Sequence, residues 1–294
     1  MPEIPDIKLY TQALTQRIEG RTLQTMRLGS PFVLRTVTPS VEEIGGTRVV
    51  RVDHLAKQLV IHLENQLAVV IHLMISGRLQ WKKAGSPIPR GNGLAAWDFE
   101  PGSLILTEVS KKKRASIHLV SGSTALTAFD RGGLDPLKCS LAQFVKRLSQ
   151  KTHTLKRALT DQRLLAGIGN AYSDEILFAA RLSPLQLTSN LSDGQWQRLH
   201  TAMCRTLEVW IGRLADQAGD KFPAKVTAFR PEMAVHGRFG AECLVCRSPI
   251  QRIQYASNEA NYCARCQTGG RLLSDRVLSR LLKSSWPKTI DELE

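Results

Sequence analysis

The stretch Leu59-Val60-Ile61-His62-Leu63-Glu64-Asn65-Gln66-Leu67-Ala68-Val69-Val70-Ile71-His72-Leu73 decides the architecture of the first half of the chain. Two short apolar runs rich in Val and Ile flank the polar triplet Glu64-Asn65-Gln66. Runs this short, broken by so brief a polar link, predict two strands of a hairpin. The texture continues in Leu104-Ile105-Leu106 and Ile117-His118-Leu119-Val120, with a Gly/Pro loop over residues 85–93. Regularly spaced short strands point to a β-sandwich or barrel. Ahead of them, Ile7, Tyr10, Leu14 and Ile18 fall at helical spacing and predict a helix over residues 7–18.

Arg131-Gly132-Gly133-Leu134-Asp135-Pro136 interrupts this pattern and marks the domain boundary. Beyond it the chain turns helical. Leu141, Phe144, Val145 and Leu148 share one face, and a later helix opens after a Ser192 cap and runs through Trp196, Leu199, Met203, Leu207, Trp210 and Leu214. That stripe reads as core. There is no internal repeat and no low-complexity tract.

The chain has 294 residues, enough for two domains, and a formal net charge of +14. Such a charge points to a polyanionic partner, nucleic acid first and an anionic membrane surface second. No window approaches the roughly 18 uninterrupted apolar residues of a membrane-spanning helix, and no signal peptide is evident, so an intracellular location is expected. In a reducing compartment the six cysteines are not expected to form disulfides. Cys243-Leu-Val-Cys246 and Cys263-Ala-Arg-Cys266 instead fit a four-thiolate zinc site. Four sulfurs leave no open position, so one Zn2+ ion would be structural. Two redox dithiols are the competing reading, and no thioredoxin-like βαβ pattern surrounds either pair.

Two further stretches carry chemistry. Leu164-Leu165-Ala166-Gly167-Ile168-Gly169-Asn170 is a glycine turn feeding a helix, where backbone N–H groups and the helix dipole favour an anion. Beside Lys156, Arg157 and Arg163 it reads as a clamp for a nucleic-acid phosphate, although such turns also serve as plain helix connections. The opening Met1-Pro2-Glu3-Ile4-Pro5-Asp6 would, on loss of Met1, present a secondary amine beside a carboxylate. An α-amino group has a reference pKa near ~7.7–8.0, so it serves as a nucleophile more readily than lysine. The plain alternative is a frayed terminus.

Together, and in this order, these features resemble the bacterial-type formamidopyrimidine-DNA glycosylase and endonuclease VIII family. Pro2-Glu3-Ile4-Pro5-Asp6-Ile7 is similar to the family's opening, and Lys57 matches its lysine. Leu165 to Glu175 resembles its helix–two-turns–helix signature, and the four-cysteine finger sits where the family carries it. The resemblance implies an α+β fold: an N-terminal β-sandwich domain with an N-terminal helix (1–131), then a helix–two-turns–helix domain (132–235). A β-hairpin zinc finger (236–270) follows; past the family's usual end, Leu272, Val277, Leu278, Leu281 and Leu282 predict a helical extension (271–294). The resemblance implies a bifunctional glycosylase and abasic-site lyase of base-excision repair, acting on damaged DNA, duplex or single-stranded. The damaged nucleotide would be flipped into a pocket between the domains. Pro2 would attack the sugar C1′, Glu3 would move protons and Lys57 would complete the catalytic set, while Lys57, Lys156, Gly167, Asn170 and the finger tip at Asn258 would contact DNA. A monomer in the bacterial cytoplasm, associated with the nucleoid, is the implied setting.

The chain departs from that pattern in three places. Asn258 stands where the family's finger usually carries an arginine, and cannot supply a permanent charge. The family's H-L-G-M-[ST]-G segment appears as His72-Leu73-Met74-Ile75-Ser76-Gly77. Its void-filling R-R-F-G segment is replaced near Ser110-Lys111-Lys112-Lys113-Arg114, a run suited to phosphates or simply to solvent. These changes argue against assuming the 8-oxoguanine specificity of the best-known members. They keep open a catalytically silent DNA binder on the same scaffold.

Overall fold

A computed structural model describes residues 1–223, 226–227, 229–255, 258–274, 281 and 287–293. The chain divides into two compact units, residues 1–131 with 210–227, and residues 132–209 with 228–294.

The first unit opens with helix α1 (Ile4–Ile18), three residues earlier than the apolar spacing predicts. The early start comes from Glu3, which caps the helix in a capping box with Asp6, and from Pro5 in the first turn. Strands β1 (Thr22–Leu23) and β2 (Thr25–Leu28) and the short helix α2 (Val41–Ile44) lead into β3 (Thr47–Leu55), β4 (Gln58–Leu63), β5 (Leu67–His72) and β6 (Gly77–Lys82). Then come β7 (Gly93–Phe99), β8 (Gly102–Glu108), β9 (Ser116–Ser121) and helix α3 (Gly122–Thr127). The strands form two antiparallel sheets, ordered β1-β3-β4-β5-β9 and β2-β7-β8-β6.

The predicted hairpin is β4–β5, with Ile61 opposite Val69 and Gln58 opposite His72. Asn65 and Gln66 adopt positive φ in its turn, a conformation Asn tolerates well. Its runs are continuously apolar because both faces are covered. Leu59, Ile61, Leu63, Val69 and Ile71 enter the core between the sheets, with Leu79, Trp97, Leu104 and Leu106. Val60, Ala68, Val70 and Val120 form a smaller cluster on the other face, against Leu55, Leu126 and Phe129. Helix α1 inserts Ile7, Tyr10, Leu14 and Ile18 into the main core, and the Tyr10 hydroxyl accepts the Leu79 N–H at 3.3 Å.

The second unit contains α4 (Leu141–Leu148), α5 (Leu155–Thr160), α6 (Asn170–Ala180) and most of α7 (Asp193–Ala218). Side chains close the helix starts as their sequences demand. Ser140 and Gln143 form a capping box on α4, Thr154 caps α5, and Ser192 with Gln195 opens α7. Phe144 packs edge-on against Trp196 with ring centroids 5.9 Å apart, so the expected stripe on α7 is core. Strands β10 (Ile250–Tyr255) and β11 (Asn258–Cys263) form the finger hairpin, followed by α8 (Ala264–Thr268). Beyond it, Leu272, Leu273 and Ile290 pack on Ile253, Tyr262 and Ala264, and the Leu273 N–H donates to the Tyr262 hydroxyl at 2.8 Å. The helix expected from Val277, Leu278 and Leu282 lies outside the described residues.

The turn Leu73–Gly77 joins the two sheets. Met74 takes positive φ there, and a Cβ on Gly77 would lie 2.3 Å from the Leu73 carbonyl oxygen. The atoms it would meet are Leu73 backbone, which cannot swing aside as a flexible side chain would. Gly77→Ala is therefore expected to destabilise the first unit by about 1–3 kcal/mol, measured by urea unfolding.

Candidate active site and nucleic-acid interface

Capping α1 fixes the N-terminus. Pro2 and Glu3 are buried, Glu3 at 3% exposure, and the Glu3 N–H donates to Asp6 Oδ2 at 3.0 Å. Pro2 and Glu3 therefore belong to the fold, with Met1 exposed ahead of them. Burial holds the terminal amine below the usual α-amino range; Glu3 opposes this, while Arg78 and Lys57 add to it.

Lys57 follows Ala56, whose positive φ makes the tight β3–β4 turn. Burial lowers the Lys57 ammonium below its ordinary range; Glu3 offsets part of this and Arg131 adds to it. Among the described residues the Lys57 ammonium has no hydrogen-bond or ion-pair partner. His72, at the end of β5, is pushed down to about 4 by burial, with further lowering from Lys57, Arg131 and His118. One carboxylate, Glu3, thus shares its surroundings with the N-terminus and several basic groups, of which sequence reading singled out only Lys57. Of the others, His72 opens and Arg78 follows the segment His72–Gly77, which the family resemblance marked for other reasons, and Arg131 lies at the boundary stretch Arg131–Pro136.

The basic run is tethered at its root. The buried Glu108 carboxylate accepts from Ser76 Oγ (2.9 Å) and from the Arg114 and Ala115 N–H groups (2.8 and 2.9 Å). Lys111 and Lys112 stay exposed above this anchor, as does Val109 at 77% exposure.

In the second unit the glycine turn differs in detail from expectation. Gly167 takes positive φ, but its N–H donates to Gln162 Oε1 at 2.8 Å and is not left for a ligand. Gln162 also donates to the Thr160 and Ile168 carbonyls, so one side chain holds the whole turn. Asn170 begins α6, half-buried, and among the described residues its side-chain amide has no hydrogen-bond partner.

Lys156 points inward. Its Nζ donates to the Asn170 carbonyl (2.7 Å) and to Asp174 Oδ1 (2.5 Å), with the side chain only 13% exposed. Its charge neutralises a buried carboxylate, and a hydrogen bond to the Asn170 backbone fixes the start of α6. Asp174 also receives His236 Nδ1 at 2.8 Å and Asn261 Nδ2 at 3.3 Å, and Glu175 accepts the N–H groups of Ala234, Val235 and His236. The two acids tie α6 to the segment before the finger and to β11. Asn258 sits in β11 opposite Tyr255, at the far end of the hairpin ladder. Arg252 lies over the Phe239 ring (4.5 Å) and pairs with Glu259 at 3.6 Å.

Cys243, Cys246, Cys263 and Cys266 bring their sulfurs within 4.8 Å of one another, with Cys243–Cys266 at 3.9 Å and Cys246–Cys263 at 3.4 Å. A tetrahedron with Zn–S bonds of about 2.3 Å has edges of about 3.8 Å. The donor set therefore fits one zinc ion with no ligand position left over.

Three sequence profiles match the chain: the formamidopyrimidine-DNA glycosylase N-terminal domain over residues 1–120, the H2TH domain of the same enzymes over 133–219, and the zinc finger found in FPG and IleRS over 240–269. A formamidopyrimidine-DNA glycosylase of Herpetosiphon aurantiacus is 30% identical over 275 residues, covering 91% of this chain and all of the relative. The chain belongs to the formamidopyrimidine-DNA glycosylase family. A Mycobacterium tuberculosis protein described as formamidopyrimidine-DNA glycosylase-like is 39% identical over 151 residues, 51% of this chain and 94% of its own. The fold matches that of the Lactococcus lactis formamidopyrimidine-DNA glycosylase, crystallised non-covalently bound to DNA containing an AP site. That match has a TM-score of 0.79 and 24% identity, covering 90% of this chain and 99% of the other. The zinc-finger match coincides with the four-cysteine cluster, so the metal reading holds over redox dithiols. No described helix is long and apolar enough to cross a membrane.

The depressed His72 gives a signed pH dependence. An ordinary His near ~6.5 binds protons between pH 6.5 and 4 when unfolded, while His72 in the fold does not. Its contribution to stability is present above about pH 6.5 and is lost as pH falls toward 4. The imidazole signal of His72 should stay in its neutral form down to about pH 4, followed by NMR titration.

Proposed function

We propose that the chain is a DNA glycosylase with abasic-site lyase activity, removing oxidised or ring-opened bases from damaged DNA. The observation that carries this reading is the buried Pro2-Glu3 pair at the head of α1, with the terminal amine held below its usual range. Loss of Met1 would make the Pro2 nitrogen the terminal amine, and burial there would favour its neutral, nucleophilic form.

The amine nitrogen attacks C1′ of the damaged nucleotide, the C1′–base bond breaks, and the proton lost from the amine leaves with the departing base. Glu3 protonates the sugar ring oxygen, the ring opens, and the nitrogen lone pair closes an iminium at C1′. Loss of a C2′ proton then expels the 3′ phosphate by β-elimination, and water releases the amine. Lys57 supplies a cation to a backbone phosphate, in keeping with a half-buried lysine whose ammonium has no hydrogen-bond or ion-pair partner among the described residues. Asn170 offers its side-chain amide to a second phosphate. Gly167 and Lys156 act on that contact indirectly, by shaping the turn and bracing α6. The finger, including the backbone near Asn258, lies along the DNA. Zinc, held by Cys243, Cys246, Cys263 and Cys266, cross-links the two knuckles and has no open position for chemistry.

A second reading is a silent binder of damaged DNA, favoured by Asn258 at the finger's arginine position and by the lysine run at 111–113. Sodium borohydride separates the two, because it reduces an iminium to a stable covalent adduct. Abasic-site DNA should be trapped by the wild-type chain and not by Pro2→Gly, with Glu3→Gln lowering trapping by 10-fold or more. A chain that retards the same DNA on a gel but is never trapped, with Met1 retained, would establish the silent binder.

A further inference from the structure

The zinc-finger match ends at residue 269, and the residues that follow pack back on the finger just completed. Gly270, Arg271 and Leu272 run antiparallel to Lys288, Thr289 and Ile290. The Leu272 N–H donates to the Lys288 carbonyl and the Ile290 N–H to the Gly270 carbonyl, both at 2.8 Å, and Arg271 bridges to Thr289. This pair is laid on the knuckle that carries Cys263 and Cys266. Leu272, Leu273 and the fully buried Ile290 share a core with Ile253, Tyr262 and Ala264. Tyr262 and Ala264 are the two neighbours of Cys263. The Tyr262 hydroxyl accepts the Leu273 N–H at 2.8 Å, and Arg265, between the two cysteines, pairs with Asp291 at 2.6 Å.

These contacts hold the knuckle without using its sulfurs. A small four-thiolate finger buries too little apolar surface to fold alone, so metal binding and folding ordinarily become one event. Here the second knuckle has a core of its own outside the ligand sphere. Gln267 adds a polar tie: its Oε1 accepts the Cys263 N–H and its Nε2 donates to the Leu182 carbonyl, both at 2.9 Å. The Gly270 N–H donates to the Ala264 carbonyl at 3.0 Å and closes the turn after Cys266. The backbone on either side of Cys263 and Cys266 is thus set by groups other than the metal. The first knuckle is closed by its own turn, in which the Arg247 N–H donates to the Cys243 carbonyl at 2.9 Å.

We propose that residues 270–274 and 287–293 form a metal-independent latch on the second knuckle, which keeps the finger hairpin folded and Cys263 and Cys266 preorganised while zinc is bound, lost or exchanged. The finger that carries Asn258 then stays in place through metal exchange, and zinc leaves from a folded site. This gives the residues beyond the finger match a task, and it holds whether or not the chain is a lyase.

The test uses the full zinc-loaded chain in reducing buffer, mixed with an excess of a chromogenic zinc chelator. Zinc release is followed for wild type, Ile290→Ala and Tyr262→Phe. Ile290→Ala removes the centre of the latch core and should speed release about tenfold or more. Tyr262→Phe removes only the acceptor of the Leu273 N–H and should speed it about fivefold. Hydrogen exchange on the zinc-stripped chains is the second readout. The β10–β11 amides should stay protected in stripped wild type and exchange at least about tenfold faster in stripped Ile290→Ala, while α6 and α7 keep their protection in both. Retained protection of α6 and α7 separates loss of the latch from failure to fold. Release at the wild-type rate in both variants would overturn the proposal. So would loss of β10–β11 protection in stripped wild type.

Discussion

Glu3 at the head of α1 is the constraint on which the site depends. A carboxylate that is 3% exposed, engaged in a reciprocal cap with Asp6, cannot move without uncapping a helix whose inner face is core. Capping is worth about 1 kcal/mol, and the burial of Ile7, Tyr10, Leu14 and Ile18 adds several times that. The chain's first residues are thereby as well placed as its strands. One residue serves structure and chemistry together: the carboxylate that starts the helix also stands beside the terminal amine. Among the described residues the basic groups that influence that amine, Lys57 and Arg78, come from a turn and a strand end of the same unit.

The second unit uses buried acids for a related purpose. Asp174 and Glu175 are buried charges, which are costly unless fully satisfied. Here they are satisfied by Lys156, His236, Asn261 and three backbone N–H groups. Their partners come from α5, the segment before the finger and β11, so the start of α6 and the finger hairpin are held by one network. The position of Asn170, and the direction in which its amide is presented, follows from that network more than from the glycines before it.

Much of this was legible in the sequence, for physical reasons that differ by element. The β4–β5 hairpin was readable because a sheet covered on both faces leaves unbroken apolar runs, and α7 because a buried stripe repeats at helical spacing. The finger was readable because tetrahedral thiolate coordination dictates Cys-x-x-Cys spacing. Lys156 reads in sequence as a phosphate ligand beside Arg157 and Arg163, yet it faces inward. Its partner Asp174 is eighteen residues away, and spacing says nothing of which charge is buried. Gln162 escaped notice because glutamine in a loop has no signature; only the fold shows it taking the Gly167 N–H. Arg78 and Lys57 meet the N-terminus, and His72 and Arg131 meet Lys57, through sheet register and packing, which sequence spacing does not encode.

The central claim is that the terminal proline is the nucleophile, and the attachment site of the trapped DNA tests it most directly. After borohydride reduction with abasic-site DNA, nuclease digestion and proteolysis, mass spectrometry would locate the residual sugar. The account predicts that it is carried on the N-terminal peptide, on the Pro2 nitrogen, with Met1 absent. A sugar found on Lys57 or another lysine, or an adduct on a chain that retains Met1, would contradict it.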